Sequence, residues 1–416
     1  MMAPWSCRPP ATTVPARRLP TRREGCQTEI SRSHDMDFSL TKEQKLFQST
    51  VREFLEKEAP GWLIREWEEQ GQYPYDLFQK FAEFGLLGVG LPEEYGGSGG
   101  GLTELAIVSE EMAARGQSLV NVFTPTVEFC RQAILGFGNE EQKRHFLPRI
   151  VKGECRMAMG LTEPNHGSDL ATLETMAYLD GDEYVINGSK IFTTGAHISH
   201  YIFLLVRTDK TASPPHRGLS VLLTPTDSSG LTIRTLRKLG GDAVHTCEVS
   251  FDNVRVPRSN LLHEEGKGWH IVMAHLDEER ILQGAKCTGT TRAAFEYALK
   301  YAKEREQFGQ PIGKFQAIAH MLADMASDVE ICRLLTHYAI WRKENGLPCS
   351  KEAAMAKLVT SEAAMRTSHK AVQILGGYGY TMEYEAQRYF RESKFWEIGG
   401  GTSQIQRDII AKRLGL

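Results

Sequence analysis

Three consecutive glycines near the C-terminus, Gly399, Gly400 and Gly401, are the first residues whose spacing suggests chemistry. They precede Thr402 and Ser403, either of which is a suitable N-cap for the helical pattern that follows. Backbone N–H groups ahead of a helix suit a pyrophosphate or a developing oxyanion. A tight turn between two helices explains the same glycines, and glycine supplies neither an acid nor a base.

A carboxylate for such a site is offered by residues 277–280, which read Asp-Glu-Glu-Arg within a helical pattern over 269–285. An acidic run on a helix is usually a solvated face. Glu279, however, lies three residues from Leu276 and four from Gln283, near the apolar side of the pattern. A buried glutamate has a raised pKa and can act as a base, so Glu279 is a candidate.

Hydroxyl and aromatic side chains in the middle of the chain suggest a site for a flat ligand. The hydroxyls of Thr162 and Ser168 lie in a polar loop and suit an amide-rich ring or a phosphate. Phe192 and Thr194 share a strand face at the period of two, which places an aromatic beside a hydroxyl. A long interdomain turn and an ordinary core phenylalanine are the structural alternatives.

Two further motifs, Arg-Glu-Gln-Phe-Gly over 305–309 and Gln-Ile-Leu-Gly-Gly over 373–377, carry little information singly. Arg305 suits a phosphate, and it also suits the exposed end of a helix.

The elements that must position these residues fall into three groups. Helical patterns occupy 36–155, short strands with turn residues between them occupy 156–265, and long helices occupy 266–416. The pattern predicts an α+β multidomain protein with a helical N-terminal domain, a middle antiparallel β-sheet or barrel and a C-terminal helical bundle.

Two local expectations belong to this scheme. The dipeptide Asn187-Gly188 between strand-like runs predicts a hairpin turn. The long helices after 266 are predicted to begin with two separate segments, over 269–285 and 290–306.

Composition narrows the classes of function. The chain has 416 residues and a formal net charge of −3, which gives no reason to expect nucleic acid as a partner. No apolar run reaches the roughly 18 residues of a membrane span. The eight cysteines are scattered and are expected to be buried thiols, and the histidines lack the neighbours of a metal site.

Residues 1–35 are rich in arginine and proline and read as a disordered, misassigned or targeting extension.

Five motifs in order, TEPxxGSD, NGxKxFxTxG, REQFGxPIxxFQ, QILGGxGY and GGGTSQIQ, resemble the acyl-CoA dehydrogenase family over residues 36–416. The resemblance implies that family's fold, in which the last domain is a four-helix bundle, and usually a homotetramer. It implies bound FAD, between the middle domain and the bundle and with help from a neighbouring subunit.

The resemblance also implies which residues meet FAD. Near the flavin ring these are Leu161, Thr162, Ser168, Phe192 and Thr194. Six residues would hold the adenine dinucleotide half across a subunit interface: Arg305, Phe308, Gln316, Gln373, Gly376 and Gly377. Thr402 and Gln404 would lie at the phosphates.

For the reaction, the resemblance implies α,β-dehydrogenation of an acyl-CoA thioester by a carboxylate base. Most of the family carries that Glu in a Tyr-Glu-Gly-Thr motif, where this chain has Gly400. A branch similar to isovaleryl-CoA dehydrogenase carries it in an Asp-x-Glu-Arg motif, which places the base at Glu279 and leaves Gly400 to donate its N–H to the thioester oxygen. Substrate contacts are implied for Ser168, Asp277, Arg280, Gly400 and Gly401.

The implied electron acceptor is an electron-transferring flavoprotein. An oxidase, an enoyl-CoA reductase and a non-redox lyase on the same scaffold are the alternatives. The expected location is the bacterial cytoplasm, or the mitochondrial matrix if residues 1–35 are a transit peptide.

Overall fold

The structure is a computed structural model that describes residues 38–416. The predicted extension over 1–35 lies outside the described residues. In the described part of the chain, seven helices are followed by a β-sheet and then by five more helices. This confirms the predicted order of a helical domain, a sheet domain and a helical bundle.

The first seven helices contain the apolar repeats read from the sequence. Thr41 caps the first helix and accepts a hydrogen bond from the Gln44 N–H at 3.2 Å. Between the fifth and sixth helices, Pro125–Cys130 forms a wider π-type turn that keeps the chain helical. The helices are α1 Lys42–Glu58, α2 Gly61–Gln70, α3 Tyr75–Glu83, α4 Leu102–Arg115, α5 Gln117–Thr124, α6 Arg131–Phe137 and α7 Glu140–Val151.

The middle segment is a mostly antiparallel sheet with the strand order β6-β7-β3-β2-β4-β5-β8. Strand β1 pairs with β4 in parallel, at one side of this path. The strands are β1 Met157–Gly160, β2 Met176–Asp180, β3 Glu183–Thr194, β4 Tyr201–Arg207, β5 Leu219–Pro225, β6 Leu231–Leu236, β7 Thr246–Pro257 and β8 Leu261–Leu262.

The hairpin turn predicted at Asn187-Gly188 is wrong, because β3 runs straight through both residues. The turn of the β2–β3 hairpin lies instead at Gly181. Gly188 has φ 142° at an irregularity in the β3–β7 pairing, and a Cβ there would lie 2.8 Å from the Cα of Thr175. Its glycine therefore permits a close approach of backbone rather than a reversal of the chain.

The last domain packs the long helices against one another, with α10 in contact with α8, α9, α11 and α12. These helices are α8 Gly268–Glu304, α9 Gln316–Glu344, α10 Ser350–Leu375, α11 Glu385–Trp396 and α12 Ser403–Arg413. Two short strands, β9 Glu306–Gln307 and β10 Gln310–Pro311, form a hairpin between α8 and α9.

The predicted break in the first long helix is also wrong, since α8 is continuous over 37 residues. Gly284 and Gly289 are buried in its interior. A Cβ at Gly289 would lie 2.1 Å from the carbonyl oxygen of Glu110 on α4. The glycine allows α4 and α8 to approach closely, and this packing outweighs its low helix propensity.

No helix in residues 38–416 combines the length and the apolar character needed to cross a bilayer. All six cysteines in this part of the chain are buried free thiols.

Candidate active site

Glu279 lies where α8 passes from the surface of the domain into its interior. Residues 273–279 are partly or fully exposed, whereas every residue from Arg280 to Ala294 is buried. The Glu279 Oε1 atom accepts a hydrogen bond from Gln283 Nε2 at 2.6 Å. Its Oε2 atom is shielded from solvent and has no hydrogen-bond partner within residues 38–416. The neighbouring Glu278 points elsewhere and pairs with Lys343 at 3.0 Å.

The surroundings of Glu279 favour its protonated form. Burial raises the pKa of this carboxyl, and the charge of Glu128 acts in the same direction. The positive charges of Lys286, Arg280 and Lys357 oppose the shift, but the pKa still ends above its ordinary value. A carboxylate with a raised pKa is a stronger base than one in water.

The glycine triplet meets Glu279 through Gln283. Gly400 and Gly401 both have positive φ, 64° and 88°, where glycine is unstrained. A Cβ at Gly400 would lie 2.1 Å from Gln283 Nε2, so the amide of Gln283 fills the space that a side chain at this position would need. The structure thus brings the candidate base and the glycine triplet to the same site.

The carbonyl groups of Gly400 and Gly401 already accept hydrogen bonds. Lys357 Nζ donates to the Gly401 carbonyl at 2.7 Å, and Gln406 Nε2 donates to the same oxygen at 3.0 Å. Within residues 38–416 the N–H of Gly400 finds no hydrogen-bond acceptor. Thr402 caps α12 and accepts a hydrogen bond from the Ile405 N–H at 3.2 Å. The N–H groups of Gly401 and Thr402 also find no acceptor among these residues, so three consecutive backbone donors are left for a ligand.

Asp277 and Arg280 form an ion pair at the outer end of this site. The Arg280 guanidinium donates to Asp277 Oδ1 at 2.8 Å, and Ser350 Oγ donates to the same oxygen at 3.0 Å. The Nε atom of Arg280 is shielded and has no partner among the described residues.

A buried ion pair that the motif analysis did not identify holds the loop that follows β1. Lys190 Nζ, on β3, donates to Glu163 Oε1 at 2.8 Å and to the Leu161 carbonyl at 3.0 Å. Within this loop Leu161 and Thr162 are half-buried, and Ser168 is exposed. A lysine among apolar strand residues was the available signal, since a fully buried lysine needs a partner.

Phe192 projects from an irregularity of β3. The β3–β7 pairing shifts between Lys190 and Thr193, and Phe192 has φ 59° with 64% of its surface exposed. Such a φ is unusual for a bulky residue and often marks a functional position. Thr194 is half-buried and shares a hydrogen bond of 2.9 Å with Thr246.

A cavity of about 580 Å³ lies apart from Glu279, between the ends of α8, α9 and α10. Three of the predicted cofactor residues line it, namely Arg305, Phe308 and Gly377. Most of the other lining residues are apolar or aromatic, namely Tyr301, Ile312, Phe315, Ile318, Ile374, Leu375 and Tyr378. The polar Gln307 and Thr381 complete the lining. Phe308 is 95% exposed and has φ 50°.

The remaining predicted cofactor residues do not line this cavity. Gln316, Gln373 and Gly376 are exposed, and each is next in sequence to a residue that lines the cavity. Gln404 is exposed in the first turn of α12. Neither Glu279 nor Gly400 lines the cavity. Its mostly apolar walls and open mouth suit an adenine ring or another chain, whereas the candidate base lies near Gly400.

Three family models together match most of the described chain. The family model for "Acyl-CoA dehydrogenase, N-terminal domain" matches residues 41–154, that for the middle domain 158–254, and that for the C-terminal domain 266–415.

Among similar proteins, "Probable acyl-CoA dehydrogenase YngJ" of Bacillus subtilis is 42% identical over 381 residues, covering 91% of this chain and all of that protein. "Caffeyl-CoA reductase-Etf complex subunit CarC" of Acetobacterium woodii is 36% identical, covering 90% of this chain and 99% of that one. The structure of butyryl-CoA dehydrogenase from Megasphaera elsdenii superposes with a TM-score of 0.87 at 36% identity, covering 92% of this chain and all of that one.

Proposed function

The chain belongs to the acyl-CoA dehydrogenase family, and from this premise we propose that Glu279 is the base of an α,β-dehydrogenation. The reaction converts an acyl-CoA to the trans-2-enoyl-CoA: Glu279 takes the α-proton and the β-hydrogen leaves with its electron pair. When bound, FAD supplies the acceptor for that hydride. The observation that carries the proposal is the shielded, unpartnered Oε2 of Glu279 beside the glycine triplet.

Removal of the α-proton puts negative charge on the thioester oxygen, and this charge needs a donor. We assign the backbone N–H of Gly400 to this role, because no described residue accepts from it. Lys357 and Gln406 hold the adjacent Gly401 carbonyl, so the peptide does not have to reorganise when the charge develops.

The residues present fit FAD. A Cβ placed on Gly376 or Gly377 would have no neighbouring atom within 4 Å, which leaves their backbone open to a bulky ligand. Phe308, exposed beside Arg305 in the 580 Å³ cavity, offers an aromatic surface next to a cation. We propose that these residues, with Gln316 and Gln373, hold the adenine dinucleotide half, together with Thr402 and Gln404 at the phosphates.

The flavin ring is proposed to rest near β3. Phe192 offers an exposed aromatic surface there, and Thr194 offers a half-buried hydroxyl. Leu161, Thr162 and Ser168 belong to the loop that Lys190 ties to this strand.

The CoA moiety is proposed to lie at the outer end of α8. Arg280 has a shielded Nε with no described partner, and its ion pair with Asp277 fixes the guanidinium. Ser168 and Gly401 complete the proposed substrate contacts.

The test is the substitution Glu279→Gln, which removes the base and keeps the size of the side chain. The variant is expected to bind FAD like the wild type, and reduction of the flavin by substrate is expected to slow by about 100- to 10,000-fold. The measurement is the loss of flavin absorbance when an acyl-CoA is added without an acceptor.

Glu278→Gln is the matched control, since Glu278 pairs with Lys343 and lies about 100° away around the helix. This variant should reduce its flavin at the wild-type rate. Full-rate reduction in Glu279→Gln would refute the assignment of the base.

A second candidate is reduction of an enoyl-CoA by the same residues in reverse, with Glu279 returning the proton. The similarity to a protein named as a caffeyl-CoA reductase subunit favours this direction. The measurement compares two rates at equal enzyme concentration: oxidation of an acyl-CoA with a dye acceptor, and reduction of an enoyl-CoA with a reduced donor. The faster direction identifies the function.

We also propose an electron-transferring flavoprotein as partner and a homotetramer as the assembly. The printed name of the Acetobacterium woodii relative, a subunit of a complex with Etf, supports the partner. Release of peroxide under air would indicate an oxidase instead.

A further inference from the structure

We propose that Gln283 and Lys286 form a polar wall of the acyl pocket, which selects a short acyl chain bearing an uncharged hydrogen-bonding group, such as a hydroxyl, over a hydrocarbon chain. The inference rests on the proposed function, because it takes the reacting thioester to lie between Glu279 and Gly400.

Gln283 contacts both ends of the reacting unit. Its Nε2 atom lies 2.6 Å from the Glu279 carboxylate and occupies the position next to Gly400 that a side chain would take. The α-carbon of a substrate must approach Glu279, and its thioester oxygen must approach the N–H of Gly400. A side chain that touches both therefore borders the first carbons of the acyl chain.

The direction of the acyl chain follows from burial along α8. The helix is partly or fully exposed over residues 273–279 and buried from Arg280 to Ala294. The bulky CoA moiety fits only the exposed end, so the acyl chain points inward along the helix. Positions four and seven residues after Glu279 lie on its side of the helix, which makes Gln283 and then Lys286 the groups that the chain meets.

Both side chains have unused hydrogen-bonding capacity. Gln283 is 5% exposed, and its Oε1 atom is shielded and has no partner within residues 38–416. A buried acceptor without a partner is uncommon in proteins. Lys286 is 1% exposed and donates to Glu128 Oε2, which uses one of the three N–H bonds of its ammonium.

The carboxylate of Glu128 has two further donors besides Lys286. Ser109 Oγ donates to its Oε1 at 2.6 Å, and Thr124 Oγ1 donates to its Oε2 at 3.1 Å. Glu128 belongs to the π-type turn Pro125–Cys130, a feature that occurs often at functional sites. The ion pair therefore has spare donors on Lys286, and the acceptor of the wall without any partner among the described residues is Gln283 Oε1.

The charged groups in contact with the wall are paired with one another, which decides the class of group. Lys286 faces Glu128, and Arg280 faces Asp277. Lys357 is buried and adds a positive charge that offsets ionised Glu279. A substrate carboxylate would meet no unpaired cation among the described residues in contact with the wall, whereas a hydroxyl both donates to Gln283 and accepts from Lys286.

The test compares 4-hydroxybutyryl-CoA with valeryl-CoA, which have equal numbers of heavy atoms and the same hydrogens on C2 and C3. The kcat/KM of the wild-type holoenzyme with a dye acceptor is expected to favour the hydroxylated substrate by about ten- to a hundredfold, because the hydrocarbon leaves buried polar groups unpaired. Succinyl-CoA, the anionic counterpart, is expected to be the poorest of the three. An equal or higher kcat/KM for valeryl-CoA, or a preference for succinyl-CoA, would overturn the proposal.

The variant Gln283→Met keeps the length of the side chain and removes the amide. Its ratio of kcat/KM values for the two neutral substrates is expected to fall to one or below, and the ratio cancels any common effect on Glu279. Gln79→Met, on the exposed surface of α3, is the control and should keep the wild-type ratio. An unchanged ratio in Gln283→Met contradicts the assignment of the wall.

Failure of the two proposals looks different in this experiment. If all three acyl-CoAs leave the flavin oxidised, the dehydrogenase function fails and the inference fails with it. If valeryl-CoA is oxidised as efficiently as its hydroxylated counterpart, the dehydrogenase function stands and only the polar wall is refuted.

Discussion

At the scale of single residues, Gln283 links the two halves of the site. It donates to Glu279, it fills the space beside Gly400, and its own carbonyl oxygen is unpaired among the described residues. Because an N–H donor stabilises the ionised form of a carboxylate, Gln283 also limits how far burial can raise the pKa of Glu279.

The pH dependence of the reaction should report this balance. The base acts when deprotonated, and its pKa is raised by burial. Activity is therefore lost as the pH falls through a value above about 4.3, the ordinary pKa of glutamate. The measurement is the acid limb of kcat/KM against pH for valeryl-CoA.

Gln283→Met should move that limb to higher pH, because the variant loses a donor to the carboxylate. Gln79→Met should leave the limb in place. A limb at the ordinary value in the wild type, or a downward shift in Gln283→Met, would contradict the environment described for Glu279.

At the scale of elements, the close crossing of α4 and α8 holds the site against the N-terminal domain. Gly289 gives α8 its contact with the Glu110 backbone. Arg292, one turn further, contacts Glu110 at 3.3 Å and Glu111 at 2.8 Å. The buried stretch of α8 that carries Gln283 and Lys286 is thus fixed by a neighbouring helix.

Gly289→Val should disrupt this crossing, because its side chain would overlap the Glu110 carbonyl. We expect a loss of roughly 2–4 kcal/mol in the free energy of unfolding. Loss of helical circular dichroism in urea is the measurement. The outcome that would contradict the close approach is a variant as stable as the wild type.

Gly284→Ala is the control for this prediction. Gly284 is also buried in α8, but a Cβ there would lie 3.0 Å from the hydroxyl of Thr336, which can adjust. Alanine also favours the helix by about 0.5–1 kcal/mol over glycine. We expect this variant to differ little from the wild type.

At the scale of the whole molecule, the described chain exposes several large apolar side chains to solvent. Phe308, Tyr380 and Leu334 are 95%, 88% and 55% exposed, and the 580 Å³ cavity opens beside the first of them. Exposed apolar surface of this kind marks interaction sites. It supports the proposed assembly, in which a neighbouring subunit covers the α9 region and completes the cofactor site.

The mass of the purified holoenzyme tests the assembly. Light scattering is expected to give about four times the chain mass of 46.6 kDa. Phe308→Asp should lower both the mass and the FAD content, because a charge would be placed in a covered apolar surface. A monomeric wild type that retains FAD would contradict the shared site.

The sequence by itself determined the family, the order of the three domains and the candidate base. Ordered motifs carry this information because each demands particular residues at fixed spacing, and helical periodicity placed Glu279 near the apolar side of its helix. Thr402 was identifiable as a cap because capping depends on a few neighbouring residues.

Only the tertiary structure decided what these residues touch. The sequence pattern predicts a turn at Gly188 and a helix break between residues 285 and 290. Gly188, Gly284 and Gly289 nevertheless each lie inside a strand or helix that another segment crosses closely. The role of Gln283 depends on Gly400, more than a hundred residues later, and the pairing of Lys286 with Glu128 depends on a different domain. Such contacts arise from packing between distant segments, and a local pattern contains no information about which segment will arrive there.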